Sequence, residues 1–150
     1  MIHTQLKEDM KNAMRAKEAT RLSVIRGLLS AFTNEAVTKG KKPDEFLTDD
    51  EALAVIKRQA NQRKDASEQF TTGGRPDLAE NEQAELAILT EYLPAQMSVD
   101  KIREIALTKK TELGIIDKTK MGLLMGAVMK VVGASANGGD VKKVVEEILN

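Results

Sequence analysis

An all-α fold is predicted by three features of the sequence. Apolar residues recur at helical spacing from the start, as in Leu6, Met10, Ala13 and Met14. Aromatic residues are only 3% of the 150, with no Trp, so the 41% hydrophobic content is mainly Leu, Ile, Val, Met and Ala. Such a core suits helix–helix packing better than a sheet, and no segment reads convincingly as a strand. The predicted architecture is an N-terminal bundle of about four helices over residues 1–93, followed by a small three-helix unit over 98–150.

The first helix carries the stripe just named. The second carries Leu22, Ile25, Leu28, Leu29, Phe32 and Ala36 and stops near Gly40, where the left-handed conformation is cheap. Thr48 is a good N-cap, and Glu51 three residues later completes a capping box. The third helix runs to about Phe70. Leu53, Val55 and Ile56 give its first half an apolar face, but Asn61 to Gln69 holds only Ala66. That half is expected to project or to pack through a thin face. Asp77 with Glu80 reads as a second capping box. The fourth helix carries Leu78, Leu86, Leu89, Tyr92 and Leu93 and ends at Pro94, which lacks an amide hydrogen. The stretch from Leu93 to Ser98 is the expected hinge between the two units. Ser98 caps a fifth helix with Ile102, Ile105, Ala106 and Leu113, stopped by Gly114. A sixth spans about Lys120 to Val132. Gly133 to Gly139 reads as a flexible loop, and Asp140 opens the last helix, with Val141, Val144, Val145 and Ile148.

The chemistry open to this chain is narrow. It has no Cys, which excludes disulfides and thiolate metal sites. Its one His is His3, expected to be exposed in a fraying first turn, so neither a catalytic triad nor a zinc site is expected. Glu80, Glu82, Glu85 and Glu91 read as a solvated acidic face, not as an acid–base pair. No catalytic residue, metal or cofactor is assigned. No run approaches the length of a membrane span, and the N-terminus lacks a secretory apolar core, so a cytoplasmic protein is expected.

The formal net charge is zero, which counts against broad non-specific nucleic-acid binding but leaves room for local basic faces. Two are candidates: Lys118, Lys120, Lys130, Lys142 and Lys143 in the C-terminal unit, and Lys57, Arg63, Lys64 and Arg75 around the third helix. Residues 73–95 hold one Arg against five acids, so the third-helix cations are expected to pair with the fourth helix. Gly122 and Gly126 on the sixth helix are expected to let a neighbouring helix approach closely. Met121, Met125 and Met129 lie at i, i+4 and i+8, a stripe that is usually core but suits an adaptable partner surface. The alternative function is therefore a helical protein–protein adaptor, with a protein partner at this Met-rich helix.

Several segments, in order, resemble one family. They are Leu22-Ser23-Val24-Ile25-Arg26, Gln62-Arg63-Lys64-Asp65, Gly74-Arg75-Pro76-Asp77-Leu78-Ala79-Glu80 and Glu91-Tyr92-Leu93-Pro94-Ala95-Gln96-Met97-Ser98. Met121-Gly122-Leu123-Leu124-Met125-Gly126 and the following glycine-rich loop extend the likeness over nearly the whole chain. Together they are similar to the GatB/YqeY family. The loop departs from that pattern at Asn137, where Asp is expected, and at Gly139, where a basic residue is expected. The resemblance implies kinship with the tail of the GatB subunit of the Glu-tRNA(Gln)/Asp-tRNA(Asn) amidotransferase, which helps to hold the tRNA body. It attaches the family activity of carbon–nitrogen ligation with glutamine as amide donor. The large catalytic portion has no counterpart here, so the resemblance implies a tRNA- or RNA-associated accessory without catalysis of its own.

Overall fold

The computed structural model describes residues 1–150, which form seven α-helices and two short 3₁₀ turns. The helices fall into two compact units, Met1–Leu93 and Pro94–Asn150. The first is a four-helix bundle and the second a three-helix unit, so the predicted fold class holds. No helix is long and apolar enough to cross a membrane.

In the first unit, α1 (Ile2–Ala16), α2 (Ala19–Thr38), α3 (Asp49–Thr72) and α4 (Pro76–Thr90) enclose a core centred on Leu6, Ile25, Leu28, Phe32, Leu47 and Ile56. The Thr48 capping box forms as predicted: its hydroxyl accepts from the Glu51 amide, and the Glu51 carboxylate accepts from the Thr48 amide. Lys41 also donates to that carboxylate. These hydrogen bonds, Lys41 first, hold the Glu51 carboxyl at about 2. The second half of α3 does not project. It packs along α4 through small residues, with Ala60, Ser67 and Ala79 buried and the Ser67 hydroxyl donating to the Ala79 carbonyl at 3.4 Å. A thin face suffices because small side chains let two helices approach closely.

Two expectations for this unit are corrected. His3 is not frayed or exposed. It is buried, its Nδ1 accepts from the Leu47 amide at 3.1 Å, and its ring meets Phe32 edge-on and stacks on Phe46. The loop before α3 folds back over α1 and supplies a partner 44 residues away, which local reading cannot foresee. The second capping box is also absent. Helix α4 starts at Pro76, with Arg75 at the N-cap making no side-chain cap bond. Proline's fixed φ suits the first helical position, and Asp77 falls inside the first turn, where it pairs with Arg75 at 3.2 Å.

In the second unit, α5 (Val99–Leu113), α6 (Met121–Val132) and α7 (Gly138–Leu149) bury Ile102, Ala106, Leu124, Val128, Val141 and Val144. The Ser98 hydroxyl accepts from the Lys101 amide, and Gly114 ends α5 in the left-handed region at φ 65°. The segment expected to be a loose loop is organised. Gly133–Ser135 forms a 3₁₀ turn, Ala136 is buried, and Asn137 rather than Asp140 caps α7 by accepting from the Asp140 amide at 2.8 Å. Asn and Asp cap equally well, so the earlier residue took the position three before the amide. The Met97 amide donates to the Ser135 carbonyl at 2.7 Å, tying the start of this unit to that turn.

Candidate nucleic-acid interface

The C-terminal lysines sit on three segments of the second unit. Lys118 and Lys120 belong to the 3₁₀ turn (Lys118–Lys120) that leads into α6. Asp117 caps this turn, accepting from the Thr119 amide and hydroxyl. Those bonds, with Lys120 nearby, keep its carboxyl below the usual range. Lys130 lies in the last turn of α6, and Lys142 and Lys143 follow the first turn of α7. All five are exposed. No carboxylate lies within 4 Å of the ammonium groups of Lys118, Lys130, Lys142 or Lys143. Residues 94–150 hold nine Lys and Arg against seven Asp and Glu, a surplus of two.

The third-helix cations differ. Arg63 reaches Glu82 at 3.0 Å and Glu85 at 3.3 Å, both on α4, as the acidic neighbour predicted. Arg75 is held by Asp77, in an exposed pair. Lys57 and Lys64 are half-buried, and burial lowers the Lys57 ammonium from its ordinary value. Residues 1–93 hold fourteen cations against sixteen acids, a deficit of two. A phosphate approaching this patch must compete with carboxylates already in place.

The glycine-rich segment before α7 has its N-terminal amides partly used. Asn137 takes the Asp140 amide, and the Asp140 carboxylate accepts from Asn137 Nδ2 at 3.2 Å. A fixed carboxylate there opposes an anion.

One polar network was not foreseen. The Tyr92 hydroxyl donates to Asp9 on α1, and Arg21 on α2 forms a forked pair with Glu91. Burial first, then the Asp9 bond, pushes the Tyr92 hydroxyl above its ordinary value, and the Glu91 bond raises Arg21. The groups border a cleft of about 470 Å³ beside Gln5 and Asn12. They join α1 and α2 to the chain just after α4, and the raised Tyr92 hydroxyl and Arg21 guanidinium both keep their protons, which does not suit them to proton transfer. The only signal in the sequence was that Glu91-Tyr92 lies within one of the segments shared with the family. No group of three His, Cys, Asp or Glu side chains is placed to hold a metal ion.

Comparison with known proteins identifies this architecture. The family model of YqeY-like proteins matches residues 3–149. A protein of Lachancea thermotolerans, altered inheritance of mitochondria protein 41, mitochondrial, is 42% identical over 101 residues, covering 67% of this chain and 51% of the relative. The protein of the same name from Saccharomyces cerevisiae is 34% identical over 129 residues, 85% of this chain and 66% of the relative. That of Pyrenophora tritici-repentis is 32% identical over 147 residues, 97% of this chain and 79% of the relative. The chain thus spans about half the length of the first of these relatives and about two thirds of the second. The cytoplasmic expectation is overturned by these relatives, which are mitochondrial by name. It rested on the lack of a secretory or membrane segment, a test blind to other compartments. With its two helical units in the expected order and the family match running from residue 3 to residue 149, the chain belongs to the YqeY-like family.

Proposed function

We propose that this protein is an RNA-associated accessory module of the amidotransferase-tail type, without catalysis of its own, and that its C-terminal unit makes the contacts. The observation that carries this reading is the contrast between the two basic patches. Lys118, Lys142 and Lys143 are exposed and lack a carboxylate partner, whereas Arg63 is held by Glu82 and Glu85. Lysines without a protein partner are the ones available to neutralise phosphate and release its counterions. The family likeness supports tRNA as the first RNA to try.

Electrophoretic mobility shift of unmodified tRNA at low salt tests the reading. The full chain retards tRNA, and Lys142→Glu with Lys143→Glu abolishes the shift. No retardation by the unaltered chain, or equal retardation by the double variant, overturns it. In parallel, the purified chain produces no amide transfer from glutamine to mischarged tRNA, and measurable transfer would make it an enzyme instead.

A further inference from the structure

Helix α6 buries one face and leaves the opposite one bare. Leu124, Val128 and Val132 point into the core and are at most 3% exposed. Met121, Met125 and Met129 run beside them, half-buried against the same core, so the methionines are not a free stripe. The outward face carries Gly122, Leu123, Gly126, Ala127, Lys130 and Val131. Leu123 is 56% exposed and Val131 48%. Across from them, Lys109 and Leu113 at the end of α5 form a second wall, and the two enclose a groove of about 420 Å³.

The glycines correct an expectation. A Cβ at Gly122 or Gly126 would meet nothing within 4 Å, so neither is there to admit a neighbouring helix of this unit. In the interior of α6, Gly126 costs about 1 kcal/mol relative to alanine, and no close approach within the folded chain calls for it. A helix laid across this face would use the missing side chains, because the separation of two axes depends on the side chains where they meet.

The rim indicates the chemistry of such a helix. The charged residues lining the groove are Lys109 and Lys130, and no carboxylate lines it. Lys109, half-buried, is paired with Glu112 at 3.0 Å, while Lys130 is exposed with no carboxylate within reach and leaves the rim a net positive charge. A second copy seated face to face would set lysine against lysine. Nucleic acid would find no aromatic ring to stack on and would press phosphate against aliphatic side chains. The stretch from Gly122 to Val131 is about 14 Å long at 1.5 Å per residue, matching the two to three turns over which i, i+3/i+4 and i+7 anchors repeat. We propose that this groove docks an amphipathic helix of a protein partner, with short apolar side chains on its buried face and Asp or Glu along its flanks.

Two stapled helical peptides of about 18 residues, with the same Ala/Leu face and either Glu or Lys flanks, are the probes. They are titrated into the full isotope-labelled chain. The Glu-flanked peptide shifts the amides of Leu123, Gly126, Ala127 and Val131 and binds at least about tenfold more tightly than the Lys-flanked one. Gly126→Leu fills the groove with a better helix former and weakens binding by at least about tenfold, with helical circular dichroism and tRNA retardation unchanged. Lys130→Glu, a surface change that leaves the core intact, reverses the preference between the peptides. The proposal is overturned if neither peptide binds, or if binding ignores both substitutions. It is also overturned if tRNA rather than peptide shifts these amides, or if the face proves to be a dimer interface that Gly126→Leu abolishes.

Discussion

His3→Ala is expected to lower the unfolding free energy of the first unit by about 2–3 kcal/mol, a large effect for an N-terminal residue. Two losses combine. The Leu47 amide, buried with its residue fully inaccessible, loses the imidazole nitrogen that accepts from it at 3.1 Å. The ring between Phe32 and Phe46 leaves a hole where its centroid stood 5.1 Å and 4.5 Å from theirs. Urea unfolding followed by circular dichroism measures the change, and an effect below about 0.5 kcal/mol would mean that α1 frays after all. The same residue sets a pH dependence. Burial, then the neighbouring Lys7, lowers the His3 pKa from its ordinary 6.5. The unfolded chain therefore takes up the proton first. The stabilisation is complete above the unfolded pKa and is lost as pH falls through the lowered folded value. His3→Ala removes this slope, so the stabilities of the two chains converge as pH falls below 6.5.

Adjacent leucines on α6 are expected to behave as opposites. Leu124 is fully buried and Leu123 is 56% exposed. Leu124→Ala deletes methyl groups from the closed core of a 57-residue unit and costs about 2–4 kcal/mol. Leu123→Ala stays within about 0.5 kcal/mol, since its side chain already faces water. Thermal unfolding of both variants checks the pair. Similar costs would mean that the outward face of α6 is packed and no groove exists.

What the sequence made legible were the features written in neighbouring residues. The Thr48–Glu51 capping box, the Ser98 cap and the Gly114 stop each involve partners within five residues, and each formed as expected. The core face of α6 follows from helical periodicity alone. Local reading failed where two local signals competed: Pro76 against Asp77 for the start of α4, and Asn137 against Asp140 for the cap of α7. It also failed where the partner lay far along the chain. His3 meets Leu47 44 residues on, and Tyr92 meets Asp9 83 residues back. The candidate interface divides in the same way. The acidic content of α4 foretold the pairing of Arg63 with Glu82 and Glu85. That Lys118, Lys130, Lys142 and Lys143 stand without carboxylates depends on where three separate segments place them. Cellular location left no mark in these physical features, because a water-exposed helical surface serves equally in either compartment.

The salt dependence of tRNA affinity separates the two basic patches most directly. Each phosphate that a variant no longer neutralises lowers the slope of log affinity against log salt by about 0.7–0.9. Full-length chains carrying Lys142→Gln with Lys143→Gln, or Lys57→Gln with Lys64→Gln, are titrated with tRNA across a series of salt concentrations. The account predicts a slope flatter by about 1.5 for the C-terminal pair and a change under about 0.5 for the third-helix pair. The reverse ordering would contradict it, placing the phosphate-binding cations on the third helix in spite of its acidic neighbour.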